Sequence, residues 1–160
     1  MNAPAAEDFR RGAVDYCELI EGIEAVDYDV CATILERLAA LYAAGRRLPR
    51  VEPATERDLP DEPTIEEEAA LTRRLGDLFE PRNLYWLVEP FEAKPEKNVL
   101  AGSISEDLAS VWRDVKAGLL ALEAGVPEDD VVWDWWFGVD AHWGRHAVDG
   151  LAALHKLRSA

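Results

Sequence analysis

The sequence has few cysteines, few basic residues and no long apolar segment. Its two cysteines, Cys17 and Cys31, are too few for a disulfide framework or a cysteine-rich metal cluster. No apolar run approaches the roughly 18 residues that cross a bilayer, and the first residues lack the pattern of a secretory signal. We therefore expect a soluble, cytoplasmic protein whose two thiols stay reduced and buried.

Basic residues are strongly outnumbered by acidic ones. The chain has 17 Lys and Arg against 32 Asp and Glu, which gives a formal net charge of −15. A surface of this sign repels phosphate backbones and anionic lipid headgroups. We therefore expect neither nucleic acid nor a membrane as the partner. A weaker alternative, an acidic mimic of nucleic acid, requires the charges to be aligned along one face.

The recognised catalytic motifs are also missing. The sequence has no phosphate-binding glycine loop, no Gly-x-Ser-x-Gly turn, no His-Glu-x-x-His string and no dinucleotide fingerprint. Because catalytic groups can assemble from distant positions, these absences do not exclude an enzyme. No cofactor is expected from motifs, and the activity stays open.

Helical periodicity dominates the sequence that is present. Hydrophobic residues make up 49% of the 160 residues, enough for one core and too many for disorder along the whole chain. Apolar side chains recur at three- and four-residue spacing in five stretches, which predicts five main helices. Asp27 is predicted to cap the second helix. Thr64 and Ser103, each followed three residues later by glutamate, predict capping boxes at the start of two others. A short extra helix is predicted near Tyr85.

A proline-rich acidic segment interrupts this pattern. Residues 46–63 contain four prolines and almost no periodicity, which predicts a long loop within the domain. The stretch 52–68 holds eight acids and one base. Such a run is typical of a solvated face, and the alternative is an acidic docking surface.

The last predicted helix, over about residues 128–155, is apolar nearly all round. A helix of this kind normally lies at the centre of its fold, so we predict one all-α domain over 1–160, an antiparallel bundle around this tryptophan-rich helix. Gly138, Gly144 and Gly150 are expected to permit close approach by neighbouring helices. The five tryptophans from Trp112 to Trp143 are too many to be fully buried in so small a domain, so at least one is expected at a groove or interface.

His142, His146 and Asp149 share one side of this helix through their i, i+4, i+7 spacing. Two histidines four residues apart can bind a divalent metal, here with carboxylates from other helices. The acids to inspect for that role are Asp15, Glu18, Asp107 and Asp114. The alternative is that each imidazole is satisfied by a backbone carbonyl or a carboxylate.

These residues lead to two main hypotheses for the function. The first is a non-catalytic module that binds an unidentified protein or small molecule in an aromatic-lined groove. The candidate groove residues are Trp135, Trp143, His142, His146, Arg145 and Asp149. The second is a metal-dependent, hydrolase-like enzyme with His142, His146 and Asp149 as metal ligands. A metallopeptidase is disfavoured because Trp143 stands where the catalytic glutamate would be.

The second half of the chain carries a specific set of strings. They are Ser103-Ile-Ser-Glu-Asp-Leu108, Trp112-Arg-Asp-Val-Lys-Ala-Gly-Leu119, Trp133-Asp-Trp135, His142-Trp-Gly-Arg-His146 and Leu151-Ala-Ala-Leu-His155. Over roughly residues 85–155 the chain resembles a bacterial family, domain of unknown function 5063. The resemblance implies an all-helical bacterial protein. It implies no activity, so no functional residues carry over.

Overall fold

Six α-helices and a two-stranded sheet form the fold in the computed structural model, which describes residues 3–55, 59, 63–88, 91, 93–94 and 98–159. In chain order the elements are α1 (Ala3–Gly22), α2 (Tyr28–Gly45), α3 (Ile65–Phe79), β1 (Leu84–Val88), β2 (Val99–Ser103), α4 (Ile104–Glu123), α5 (Glu128–Ala141) and α6 (Trp143–Ser159). The chain is mostly helical, as predicted. None of the described helices is both long and apolar enough to cross a membrane.

Side-chain caps begin three of the helices where the sequence predicts them. The carboxylate of Asp27 accepts a hydrogen bond from the amide of Val30 at 2.8 Å and begins α2. Thr64 and Glu67 form the predicted reciprocal capping box of α3. Ser103 accepts from the amide of Glu106 at 3.2 Å and begins α4. Each cap satisfies an amide that has no partner within its helix.

The predicted apolar stripe of α1 is buried against α2 and α4. Its members are Phe9, Ala13, Tyr16, Cys17, Ile20 and Ile23. Cys17 and Cys31 are both buried and neither is in a disulfide, which agrees with the prediction of two buried thiols. Arg74 of α3 ties α1 to α3, because its guanidinium donates to the carbonyls of Ile20 at 2.9 Å and Ile23 at 2.6 Å.

The most centrally packed helix is α4, not the C-terminal segment that was predicted for this place. α4 packs against α1, α3, α5 and α6, whereas α6 packs mainly against α2, α4 and α5. Leu108, Val111 and Val115 of α4 are completely buried. Gly118 allows the close approach of α5, since a Cβ there would lie 2.7 Å from Cζ2 of Trp135.

The predicted undivided last helix is in fact two helices that meet at His142. His142 ends α5 with φ −146° and ψ −81°, and α6 begins at the next residue. The turn brings Gly144 against the backbone of Val139, where a Cβ would lie 2.8 Å from the carbonyl carbon. Gly138 and Gly150 also face close neighbours, which agrees with the role expected of all three glycines.

The predicted short helix near Tyr85 is wrong, because this segment is strand β1. β1 pairs antiparallel with β2, with Trp86 opposite Ala101 and Val88 opposite Val99. Aromatic and β-branched side chains that alternate between two faces favour a strand over a single helical turn. Tyr85 lies across Gly102, where a Cβ would come within 2.8 Å of its ring.

The described part of the predicted loop 46–63 is held to α5. Asp130, which is buried, accepts hydrogen bonds from the amides of Ala54 and Thr55 and from the Thr55 hydroxyl at 2.7 Å. The guanidinium of Arg50 lies 4.7 Å from the ring centre of Trp136. Residues 56–58 and 60–62 lie outside the described residues, and so does much of the acidic stretch.

Candidate functional site

Two aspartates of α4 bind the two histidines that follow the break between α5 and α6. His142 Nδ1 lies 2.7 Å from a carboxylate oxygen of Asp114, and His146 Nδ1 lies 2.9 Å from one of Asp107. The aspartates are seven residues apart on one face of α4, whereas His142 lies at the break between α5 and α6 and His146 lies on α6. Asp107 and Asp114 are two of the four acids that the sequence singled out.

The inner pair, His146 and Asp107, is largely shielded from solvent. The two side chains are 13% and 6% exposed, and Asp107 also accepts a hydrogen bond from the hydroxyl of Tyr85. The hydrogen bond that Asp107 accepts from His146 raises the pKa of His146, against the opposing effect of burial. Burial and the bond to Asp107 raise the pKa of Tyr85, which therefore stays a neutral donor. One carboxylate thus joins β1, α4 and α6.

The outer pair, His142 and Asp114, is more open to water. The His142 side chain is 48% exposed. Its ring meets that of His146 edge to face, with the ring centres 5.1 Å apart. The two imidazoles are therefore neighbours, but each uses Nδ1 for a separate carboxylate.

This geometry matches the interpretation in which carboxylates satisfy the imidazoles. Asp149 is partly buried on α6 and does not complete a metal site with the histidines. Among the described residues, no three His, Cys, Asp or Glu side chains converge on a point that a metal ion could occupy. The described residues therefore supply no set of metal ligands for the hypothesis of a metal-dependent enzyme.

The predicted aromatic groove residues Trp135 and Trp143 lie in the core, which corrects the expectation that they line a groove. Their rings pack on Phe9, with ring centres 4.8 and 5.8 Å away. The indole N–H of Trp135 donates to the carbonyl of Val115 at 3.2 Å, and that of Trp143 donates to the carbonyl of Trp135 at 3.2 Å. Arg145, the remaining groove candidate, is exposed on α6.

A tryptophan is exposed elsewhere, on the sheet. Trp86 is 77% exposed and Leu84 is 70% exposed on the same side of β1. Val88 and the opposed Val99 extend this surface, and both are exposed. We call Leu84, Trp86, Val88 and Val99 the hairpin face. Trp86 is not one of the five tryptophans for which a groove or interface was expected, although the alternation of residues 84–88 carried the signal.

Acidic side chains lie beside this sheet. Asp107, Asp149 and Glu106 all act on Tyr85 of β1, and each of their charges favours its neutral form. Tyr85 points to the side opposite the hairpin face, because side chains alternate along a strand. The hairpin face is therefore an apolar surface, and the acidic side chains lie on the opposite side of the sheet.

The comparisons with known proteins extend the resemblance to the whole chain. The model of a domain of unknown function, DUF5063, matches residues 2–160. The crystal structure of protein BF1032 from Bacteroides fragilis is similar in fold, with a TM-score of 0.79 and 22% sequence identity over 95% of this chain and 93% of that one. No curated protein matches. The chain belongs to the DUF5063 family, a family of unknown function.

Proposed function

We propose that this protein is an interaction module that binds a partner protein on the hairpin face. The partner's surface has an apolar contact bordered by lysine and arginine. The observation that carries this proposal is the exposure of Trp86 at 77% beside Leu84 at 70%. Large apolar side chains that share one exposed surface are typical of interaction sites.

The chemistry of the hairpin face suits a protein partner. Tryptophan supplies much of the binding energy at protein interfaces, because it removes a large apolar area from water at little entropic cost. The sheet has only two strands among the described residues, so the outer edges of β1 and β2 are not paired with another strand there. Edge strands can extend the contact through backbone hydrogen bonds.

The charge of the chain favours a basic partner over a second copy. Each chain carries a formal net charge of −15, so two copies repel each other. Glu106 and Asp149 lie near Tyr85, on the side of the sheet opposite the hairpin face, so their charges favour the approach of a basic partner over distance and not by direct contact. The same charges predict that added salt weakens the complex.

We further infer that the module acts in the bacterial cytoplasm and without catalysis. The two unpaired buried cysteines support a reducing compartment. The His–Asp pairs serve here as contacts between α4 and the α5–α6 turn. No reaction is needed to explain their arrangement.

The experiment is a selection of phage-displayed peptides on the immobilised protein. We expect enriched peptides that combine aromatic or aliphatic residues with lysine or arginine. These peptides should lose binding to Trp86→Ser and keep it with Phe137→Ser, a control on α5 that also changes an exposed aromatic residue. Circular dichroism checks that both variants are folded.

Two results would overturn the proposal. One is a set of enriched peptides that bind Trp86→Ser as tightly as the wild type. The other is a concentration-dependent dimer in sedimentation velocity that strengthens with salt and disappears in Trp86→Ser. That second result would assign the hairpin face to self-association.

A further inference from the structure

A cleft lies between the start of α2 and the ends of α3 and α6. Its volume is about 440 Å³, which falls in the range of small-molecule sites, roughly 300–1,000 Å³. Its apolar wall is formed by Val26, Cys31, Leu78, Phe79 and Leu157. Because these residues come from three separate parts of the chain, the cleft exists only in the folded protein.

Arg158 lies in this cleft beside an aromatic ring. Its guanidinium lies 4.6 Å from the ring centre of Tyr28, and one terminal nitrogen donates to the Tyr28 hydroxyl at 2.8 Å. Its Nε–H is buried and has no hydrogen-bond acceptor among the described residues. A buried donor on a charged group without an acceptor is unfavourable.

A second arginine, Arg82, also lines the cleft. Within the described part of the chain, neither Arg82 nor Arg158 has a carboxylate within salt-bridge distance. This arrangement is unusual in a chain with 32 acids and 17 bases, where acidic partners are plentiful. The two cations therefore leave positive charge available for a ligand.

Two acids also line the cleft and offset part of this positive charge. Asp27 uses its carboxylate to accept from the amide of Val30 as the cap of α2. Glu80 is exposed, so water screens its charge. Burial and the negative charge of Asp27 raise the pKa of the Cys31 thiol, and the positive charge of Arg158 partly offsets these effects. The thiol is therefore a neutral part of the apolar wall.

We propose that this cleft binds a small organic anion, a carboxylate with an apolar body, through Arg158 and Arg82. Guanidinium groups hold carboxylates with paired N–H donors. Leu78 and Leu157 receive the apolar body. This site uses other residues than the hairpin face, so either proposal can fail without the other.

The test measures amide chemical shifts of the protein during titration with phenylacetate. The matched probe is phenylacetamide, which has the same shape and no charge, and phenyl phosphate distinguishes a phosphate from a carboxylate preference. We expect phenylacetate to shift the amide signals of residues 26–31 and 78–82. Phenylacetamide should bind at least about tenfold more weakly.

Three arginine variants complete the experiment. Arg158→Met and Arg82→Met keep an unbranched apolar side chain and remove the charge, so each should weaken phenylacetate binding. Arg47→Met is the control, because Arg47 is exposed beyond the opposite end of α2. Two variants at the site keep the test valid if one of them unfolds.

The proposal is overturned by any of three results. One is binding of phenylacetamide as tight as that of phenylacetate. Another is binding of phenylacetate with wild-type affinity by both Arg158→Met and Arg82→Met. Absence of shifts at millimolar phenylacetate also overturns it. Tighter binding of phenyl phosphate than of phenylacetate would replace the carboxylate with a phosphate ester.

Discussion

The substitution Gly144→Ala tests the break between α5 and α6. The added Cβ would lie 2.8 Å from the carbonyl carbon of Val139 and still nearer to its oxygen. Ordinary contacts of a Cβ begin at about 3.4 Å, so the backbone must move by at least the difference, about 0.6 Å. Backbone atoms cannot turn away as the end of a flexible side chain can.

The expected loss of stability follows from this contact. Overpacking a tight site typically costs about 1–3 kcal/mol and more where backbone must shift, so we take about 3 kcal/mol. Alanine in a helix gains up to about 1 kcal/mol over glycine. The free energy of unfolding should therefore fall by about 2 kcal/mol or more. Urea denaturation followed by circular dichroism and tryptophan fluorescence measures it.

Gly12→Ala is the matched control within α1. A Cβ there would meet only Cδ1 of Leu41 at 3.8 Å, an ordinary contact. The free energy of unfolding should rise by about 0.5–1 kcal/mol, because alanine favours the helix. The reasoning is refuted if Gly144→Ala is as stable as the wild type and its His142 ring signals are unchanged.

Three further substitutions address the packing and the two buried carboxylates. Gly118→Ala places a Cβ 2.7 Å from Cζ2 of Trp135 and should lower the melting temperature through a cost of about 1–3 kcal/mol; no change in melting would contradict it. The raised pKa of His146 makes the native state bind its proton more tightly, so this stabilisation is full below the unfolded pKa of about 6.5 and is lost as pH rises through the folded pKa. Melting temperatures from pH 5.5 to 9 should show that decline, and Asp107→Asn should flatten it. Asp130→Asn should expose residues 46–55 to limited proteolysis, because it weakens the hydrogen bonds that hold Ala54 and Thr55. The hydrogen bonds from Thr55 also lower the pKa of Asp130, so their contribution to stability is lost as pH falls through the lowered value. Equal cleavage of the variant and the wild type would disprove this role.

Local sequence patterns predicted the helix features that depend only on residues close together in the chain. The capping residues Asp27, Thr64 and Ser103 act on amides three residues away, so the sequence shows both partners. The stripe of α1 follows the helical period and is buried as predicted. These features need no knowledge of the rest of the fold.

The wrong predictions concern features that depend on contacts beyond the local sequence pattern. β1 is only five residues long, too short for periodicity to separate a strand from a helix, and its partner begins eleven residues later. The break at His142 depends on the contact of Gly144 with the Val139 backbone. In the same way, the burial of Trp143 depends on Phe9, more than a hundred residues away.

The candidate sites show the same division. Asp107 and Asp114 were two of four acids named as candidate partners of the histidines, and only packing shows that each of the two binds one histidine. The cleft beside Arg158 had no signal in the sequence. Its residues come from the turn before α2, the end of α3 and the end of α6.

The carboxylate of Asp107 has a consequence for how the protein opens. It joins the hairpin through Tyr85 and α6 through His146, so movement of either element leaves a buried charge with one donor fewer. Local openings of the two elements are therefore coupled and belong to one cooperative unit. A partner that displaced the hairpin on binding would therefore also increase amide hydrogen exchange at Trp143–Ala147, in the first turn of α6.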